Sequence, residues 1–285
     1  MHGTFPKKTS SDASPFAKTG QNSGFIFDVD ECLVPTTIRV LAPWKQQILW
    51  DLHDLTNGAA LLATNSDLTS IDHMLPGFPC IAEHGSVYRM EKDGHIDITS
   101  PALDTHAIAK QAEHIIQNDT VFSLLNDPQA LQQDLPIIKV EAKMTSVALV
   151  FPIVNQANVA RNKDFAQQTA ETLRDHFAFA ATHNIVMGKD ACEIVPKGFA
   201  KVNGLDRIIA HPNFAGRALN VFGDSEPDNI LMKAAFNRAN GRGFAVGNSI
   251  ADAPYIARRL QDVDSVWRLL EREVRSLKTC NRLSL

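Results

Sequence analysis

The sequence has few cysteines, no basic excess and no long apolar run, and each shortage excludes a class of protein. Its four cysteines, Cys32, Cys80, Cys192 and Cys280, form no CxxC pair, so we expect neither a zinc site of that kind nor a disulfide framework. The 28 basic residues are outnumbered by 32 acidic ones, which argues against a nucleic-acid-binding protein. No apolar run approaches the roughly 18 residues that cross a bilayer.

The N-terminal segment also lacks the features of a secretory signal. Residues 1–22 are rich in Ser, Thr, Lys, Gly and Pro and contain no apolar stretch of the kind that such a signal needs. We expect this segment to be a flexible tail, and the protein to be cytoplasmic with reduced thiols. The whole chain has 44% hydrophobic and 21% charged residues, an ordinary globular composition.

Short apolar runs alternate with helical patterns in two parts of the chain. Buried strands are predicted at 24–27, 59–64, 80–82, 218–222 and 243–246. A helix is predicted over 43–57, because Pro43 stands at its start and Gly58 just past its end. This order predicts an α/β fold, with a Rossmann-like, mostly parallel sheet covered by helices on both faces.

The middle of the chain has a different pattern, a helix followed by two strands, twice over. The helices are predicted near 103–117 and 157–176, and the strands at 137–142, 145–151, 178–184 and 191–195. We therefore predict an inserted α+β domain at 101–187, between two core segments at 23–100 and 188–285.

Polar side chains that suit a phosphate site stand after the predicted parallel strands. They are Asp28, Asp30, Thr64, Asn65, Asp224 and Asp228. Lys201 begins the helical pattern that precedes the strand at 218–222. Ligands of open parallel sheets bind at the carboxyl ends of the strands. Neighbouring carboxylates repel each other unless a cation or a proton intervenes. Mg²⁺ is the hard cation that suits oxygen ligands shared with a phosphate.

Each of these signals is weak when it is taken alone. An acid after a strand often only starts a turn or caps a helix, and a single lysine is commonly a solvated surface residue. These residues occur together, and all of them are expected at one edge of the predicted sheet. Their combination favours a phosphate-binding metal site over a set of unrelated surface residues.

The order of acid pair, hydroxyl, lysine and acid pair resembles the haloacid dehalogenase superfamily of phosphotransferases, in its class with a second-type cap. Ala82–Gly85, with the sequence AEHG, resembles the His-Gly signature of trehalose-6-phosphate phosphatases. Glu141–Lys143 resembles the Glu-x-Lys of that family's cap. Gly188-Lys189, Glu193–Pro196 and Lys201 are similar to its Gly-Lys…Glu-Ile-x-Pro…Lys stretch. The similarity covers about residues 24–270.

The resemblance implies a Mg²⁺-dependent phosphatase of trehalose biosynthesis that acts through an aspartyl-phosphate. Asp28 would be the nucleophile. Asp30 would protonate the leaving sugar oxygen and then activate water, two roles that demand different pKa values. Thr64 and Lys201 would bind the phosphoryl oxygens, because phosphoryl transfer depends on positioning and charge neutralisation.

The resemblance also implies a metal site and a sugar site. The metal ligands would be Asp28, Asp30 through its backbone carbonyl, Asp224 and Asp228. The substrate-binding residues would be Asn65, His84, Gly85, Glu141, Lys143, Lys189 and Glu193. Charged groups of this kind pair well with sugar hydroxyls, although an exposed sheet face with alternating charges would give the same cap pattern.

The implied reaction is hydrolysis of trehalose 6-phosphate to trehalose and phosphate. Sucrose phosphate and mannosyl- or glucosyl-phosphoglycerate are alternative substrates. A rival of a different class is a catalytically silent sugar-phosphate-binding protein. A phospho-acceptor receiver domain fits poorly, since no large insertion separates its hydroxyl from its lysine. A nucleotide-binding oxidoreductase does not fit, since no GxGxxG follows a strand.

Several positions depart from the family pattern. Glu31 and Cys32 stand where Gly-Thr is usual, Ser66 stands in place of Arg, and Val202 in place of Gly. The last acid motif reads GDSEPDN from Gly223 and contains one acid fewer than Gly-Asp-Asp-x-Thr-Asp-Glu. The residues that catalysis requires are kept, so these changes bear on the choice of sugar phosphate.

Overall fold

The computed structural model describes residues 22–35, 40–99, 104–118, 139–150, 167–174, 181–187 and 191–283. The chain divides into two compact units, one formed by Met1–Ala60 and Ile209–Leu285, the other by Leu61–Ile208. The predicted tail up to residue 21, most of the helix predicted over 157–176, and Lys189 lie outside the described residues.

The secondary structure of the described residues alternates as the sequence indicates. The strands are β1 Ser23–Phe27, β2 Ala60–Ala63, β3 Cys80–Ala82, β4 Val87–Arg89, β5 Asp97–Ile98, β6 Lys139–Ala142, β7 Val147–Val150, β8 His183–Met187, β9 Ala191–Pro196, β10 Ala218–Gly223, β11 Arg242–Val246 and β12 Ile256–Leu260. The helices are α1 Pro43–Leu55, α2 Leu68–Met74, α3 Thr105–Asn118, α4 Leu205–Ala210, α5 Glu226–Ala239 and α6 Val263–Leu283. Residues 167–174 are also helical, and 3₁₀ turns cover Glu83–Gly85 and Lys201–Gly204. Within these ranges no helix has both the length and the apolar character that a membrane span requires.

In the first unit, four parallel strands lie in the order β12–β11–β10–β1. All five residues of β1 are buried. Aromatic rings contact one another across three strands: Phe27 is tilted against Phe222 at 4.9 Å between centroids, and Phe222 stacks on Phe244 at 4.5 Å. Continuous apolar runs are typical of parallel strands that are covered on both faces. The strands predicted at 24–27, 218–222 and 243–246 are confirmed, whereas β12 was not predicted.

Two helices of this unit pack together, and one of them fixes the loop that follows β1. Helix α1 begins at Pro43, as predicted, and buries Ile48, Leu49 and Leu52. Helix α6 contributes Trp267, whose indole Nε1 donates a hydrogen bond to the Leu33 carbonyl at 2.9 Å. A buried indole N–H needs such a partner, and this bond ties the loop after β1 to a long helix.

The second unit continues the α/β pattern and then ends it with a hairpin. Strands β2 and β3 are parallel, and β3, β4 and β5 are successively antiparallel. The antiparallel hairpin was not predicted. Arg89 at its end donates to both carboxylate oxygens of Asp72, at 2.9 and 2.6 Å, and to the Phe78 carbonyl. This buried guanidinium ties the hairpin to α2.

A separate antiparallel sheet, in the order β6–β7–β9–β8, completes the second unit. Its apolar face packs with α3 and residues 167–174, which is the α+β arrangement expected for the middle of the chain. Of the strand predicted at 178–184, residues 178–180 lie outside the described residues. The described strand is His183–Met187, whose Ile185 and Met187 pack on this core. The domain boundary at 187 stays a prediction; β9, beyond it, pairs with β7 and β8.

Candidate active site

Three buried carboxylates of the first unit converge. Asp28, Asp224 and Asp228 each have an oxygen within 4.8 Å of the other two, and their exposed fractions are 7%, 8% and 1%. Asp28 follows β1, and Asp224 follows β10. These neighbouring strands are parallel, so both acids emerge at the same end of the sheet. Three oxygens this close favour a cation, and carboxylates suit Mg²⁺. The donor set fits the predicted metal.

The third acid is held in place by the turn that starts α5. Asp228 Oδ2 accepts hydrogen bonds from the backbone N–H groups of Asp224 and Ser225, at 3.2 and 3.1 Å, and from Ser225 Oγ at 2.5 Å. A Cβ on Gly223 would lie 2.3 Å from the Asp228 carboxyl carbon, so only glycine permits this approach. Ser225, which stands where the family has an acid, therefore anchors Asp228.

The loop after β1 explains one departure from the family pattern. Glu31 has a φ of 58°, a left-handed conformation that glycine adopts without cost and other residues adopt at about 1 kcal/mol or more. Its N–H donates to the Val34 carbonyl at 2.7 Å, and Asp30 forms an isolated bridge with Val34. Glu31 thus adopts here the left-handed conformation that a glycine would take freely. Asp30 is half-buried, and its carboxylate is not one of the three that converge.

The predicted hydroxyl and lysine are both buried in the second unit. Thr64 follows β2 and accepts a hydrogen bond from the Ser66 N–H through Oγ1 at 3.1 Å. Lys201 begins a 3₁₀ turn and is 4% exposed, so it is not a solvated surface lysine. A buried ammonium group requires acidic or polar partners.

Four of the predicted sugar-binding residues form one polar cluster, which we call the Glu193 cluster: Asn65, His84, Lys143 and Glu193. Glu193 Oε2 lies 2.9 Å from His84 Nε2 and 2.8 Å from Lys143 Nζ. Lys143 Nζ also donates to the Asn65 backbone carbonyl at 3.1 Å. Asn65 Oδ1 is buried and has no hydrogen-bond partner, so it is an acceptor that a ligand hydroxyl could satisfy.

The remaining predicted sugar-binding residues are not in this cluster. Glu141 Oε1 lies 2.6 Å from Lys139 Nζ, and both side chains are exposed. Cross-strand pairing places Glu141 opposite Ala148 and Ala148 opposite Glu193. The two glutamates therefore share a face of the sheet, two strand spacings or roughly 10 Å apart.

Gly85 has a backbone reason for its identity. Its φ is +82°, and a Cβ there would lie 2.7 Å from the Ala200 carbonyl oxygen. Glycine lets the 83–85 turn approach the backbone immediately before Lys201. Close packing of the backbone therefore accounts for the glycine at position 85. A role of Gly85 in binding the sugar stays a prediction.

Comparison with known families identifies the fold. Residues 25–265 match the family model of haloacid dehalogenase-like hydrolases. The chain belongs to this family. The match covers most of the sequence and includes both compact units, so the α/β fold with a mostly parallel sheet is that of a haloacid dehalogenase-like hydrolase.

Solved structures with the same fold include proteins of trehalose metabolism. The C-terminal domain of C. albicans trehalose-6-phosphate phosphatase is 15% identical and covers 89% of this chain and 93% of that chain, with a TM-score of 0.68. A trehalose-6-phosphate phosphatase related protein is 16% identical over 88% and 97%, with a TM-score of 0.58. The C-terminal domain of Candida albicans trehalose synthase regulatory protein is 9% identical over 87% and 93%, with a TM-score of 0.60. At these identities the likeness shows the fold alone.

The hydrolase also contains a buried polar residue to which the sequence pattern assigns no function. Glu83 is 1% exposed and accepts hydrogen bonds from Met144 and Thr145. Glu83 lies inside the AEHG motif, in which only His84 and Gly85 carry the family resemblance. Its partners are more than 60 residues away in sequence, so spacing gave no signal for the pairing.

The charges of the Glu193 cluster should make the stability of this hydrolase depend on pH. Burial alone would raise the pKa of Glu193, but Lys143 and His84 outweigh it and lower that pKa to about 2. The unfolded value is 4.5, so the stabilisation is fully present above that pH. It is lost as pH falls from there towards 2, and its size is on the order of 3 kcal/mol.

The corresponding measurement is urea unfolding of wild type and Glu193→Gln at several pH values. We expect the variant to be less stable at pH 7 and the two proteins to converge as pH falls towards 2. A gap that stays constant with pH would contradict the assignment of this ion pair.

Proposed function

We propose that this hydrolase is a Mg²⁺-dependent phosphatase of a phosphorylated disaccharide, with trehalose 6-phosphate as the first candidate. The observation that carries the proposal is the convergence of Asp28, Asp224 and Asp228 within 4.8 Å. Two of these buried carboxylates follow parallel strands, and the third lies in the first turn of α5. Together they offer oxygen ligands to a cation, and a phosphate ester is the substrate that such a cation would share.

The reaction would proceed in two displacements at phosphorus. A carboxylate oxygen of Asp28 attacks, the bond to the sugar oxygen breaks, and Asp30 gives its proton to that oxygen. Asp30 then removes a proton from water, which attacks phosphorus and breaks the bond to Asp28, releasing phosphate. Splitting one displacement into two lowers each barrier. Mg²⁺ bound by Asp28, the Asp30 carbonyl, Asp224 and Asp228 would neutralise charge during transfer.

Thr64 and Lys201 would bind the phosphoryl oxygens that stay with phosphorus. A hydroxyl donates one directed hydrogen bond, and an ammonium group supplies a full positive charge. The burial of both residues supports this proposal, because electrostatic stabilisation is stronger where water is excluded.

The Glu193 cluster would bind the sugar. Lys143 donates and Glu193 accepts, so together they can satisfy both halves of a hydroxyl group. The buried Asn65 Oδ1, which lacks a partner, adds an acceptor beside them. Glu141, on the same sheet face, would contact a more distant part of a disaccharide. Lys189 is proposed for the same surface on the family pattern alone.

A silent sugar-phosphate-binding protein is the second candidate. One similar fold belongs to a protein described as a regulatory protein, which shows that the fold occurs in proteins of that description. The presence of Asp28, Asp30, Thr64, Lys201 and Asp224 together favours the phosphatase, since a binding protein does not require a nucleophile and a proton donor.

Phosphate release from a panel of esters tests the proposed function. The panel contains trehalose 6-phosphate, sucrose 6-phosphate, glucose 6-phosphate, and mannosyl- and glucosyl-phosphoglycerate, each with Mg²⁺ and with a chelator. We expect the greatest kcat/KM for trehalose 6-phosphate and loss of activity in the chelator. Release from another ester would keep the mechanism and change the substrate. Binding without release from any ester would support the silent protein instead.

A further inference from the structure

Glu83 is a buried carboxylate with no place in the proposed chemistry. Its Oε1 accepts a hydrogen bond from the Met144 N–H at 3.1 Å, and its Oε2 accepts from the N–H and the Oγ1 of Thr145, both at 2.7 Å. Three donors from a single turn thus converge on one carboxylate. Hydrogen bonds to a charged acceptor are about twice as strong as neutral ones, so Glu83 ties this turn firmly to the end of β3.

The backbone at Glu83 is in a conformation that needs support. Glu83, His84 and Gly85 have consecutive φ values of 47°, 57° and 82°. Only the last is free of a Cβ penalty, and non-glycine residues in this region persist where their surroundings hold them. The Tyr88 hydroxyl donates to the Gly85 carbonyl, and Ser86 Oγ donates to the Glu83 carbonyl at 2.6 Å. These local bonds and the Glu83 carboxylate together hold the turn.

The two segments that Glu83 joins each contain one hydrogen-bond partner of Glu193. His84 directly follows Glu83, and Lys143 directly precedes Met144. Both side chains reach the same oxygen of Glu193, at 2.9 and 2.8 Å. A shift of either backbone segment by 1 Å would break one of these contacts, because hydrogen bonds weaken beyond 3.2 Å. Glu83 thus bonds the Met144–Thr145 turn directly to the residue beside His84. Ser86 Oγ, which lies 2.5 Å from Thr145 Oγ1, is a second link between the two segments.

We propose that Glu83 is a positioning residue that holds His84 and Lys143 on Glu193 and so sets the affinity for the sugar part of the substrate. It acts through these neighbours and touches no reacting atom. The proposal rests on the proposed function for its kinetic consequence, whereas the positioning itself is a property of the free protein.

The test compares Glu83→Gln with wild type in the full-length protein. Glutamine keeps the size of the side chain but turns one acceptor oxygen into an N–H₂ donor, which cannot accept from the turn. If His84 and Lys143 shift, the sugar loses contacts worth about one hydrogen bond to a charged group. We therefore expect KM for the sugar phosphate to rise roughly tenfold. We expect kcat on a small artificial phosphate ester to stay within about twofold of wild type, since that substrate needs no sugar contacts.

Asp72→Asn is the matched control. Asp72 is another carboxylate of the same unit that accepts several hydrogen bonds, from Arg89 and the Gly77 N–H, away from the Glu193 cluster. We expect this variant to lower the melting temperature and to leave KM for both substrates unchanged. Thr145→Val, which removes one of the three donors to Glu83, should show the Glu83→Gln effect in smaller measure, and it serves if Glu83→Gln does not fold.

A second readout separates this proposal from the proposed function. The ring ¹⁵N resonances of His84, assigned with His84→Asn and recorded in the free protein at one pH, report its bond to Glu193. They should move in Glu83→Gln and Thr145→Val and stay in place in Asp72→Asn. Unmoved resonances, or a KM change equal to that of the control, would overturn the positioning role. If wild type hydrolyses no sugar phosphate, the proposed function fails while these resonances still decide the role of Glu83.

Discussion

Asp28→Asn is expected to lower phosphate release by at least about 10³-fold while the fold stays intact, because a neutral amide is a poor nucleophile. The substitution also removes one of three carboxylates that lie within 4.8 Å of one another. Without a metal these charges repel each other, so the variant should be as stable as wild type or more stable. Activity and stability would then change in opposite directions.

The measurement is kcat/KM for the best ester of the panel, together with the melting temperature in a chelator. Asp54→Asn, at an exposed position of α1, is the control and should match wild type in both. A normally active Asp28→Asn protein would remove Asp28 from the mechanism. Loss of activity together with a large loss of stability would indicate a structural role instead.

Lys143→Met is expected to raise KM for the sugar phosphate by roughly 10- to 100-fold, the value of one or two charge-assisted hydrogen bonds. The ammonium group bonds both Glu193 and the Asn65 carbonyl. Its removal takes a donor from the sugar site and leaves Glu193 with His84 alone. A small artificial phosphate ester makes no use of these contacts, so its kcat should change little.

The control for this variant is Lys110→Met on the exposed side of α3. It removes a lysine from the same unit, and we expect both substrates to be turned over as in wild type. Equal losses on the sugar phosphate and the artificial ester in Lys143→Met would show that the Glu193 cluster serves the chemical step and not the sugar.

The central strands were predictable because their apolar runs are continuous. Phe25, Ile26 and Phe27 are fully buried, as expected for a parallel strand covered on both faces. Strand β12 contains two arginines, the exposed Arg258 and the half-buried Arg259, so hydropathy gave no signal. Strands β4 and β5 have only three and two residues, which is too short for a periodic pattern.

The convergence of Asp28 and Asp224 could be predicted because the fold fixes where the strands end. Once β1 and β10 are parallel, Asp28 and Asp224 must emerge at the same edge. The anchoring of Asp228 by Ser225 could not be predicted, since it depends on the geometry of one turn. The ion pair of Glu141 with Lys139 was missed for a similar reason, because side-chain rotamers on an exposed strand leave no pattern in the sequence.

The proposed mechanism requires a covalent bond between Asp28 and phosphorus, and this bond can be trapped chemically. The protein is mixed with Mg²⁺ and the best ester of the panel, quenched in acid and reduced with borohydride, which converts an aspartyl-phosphate to homoserine. Peptide mass spectrometry then locates the modified residue. We expect homoserine at position 28 in wild type and none in Asp28→Asn. Phosphate release with Asp28 unmodified, or modification at another carboxylate, would contradict this mechanism.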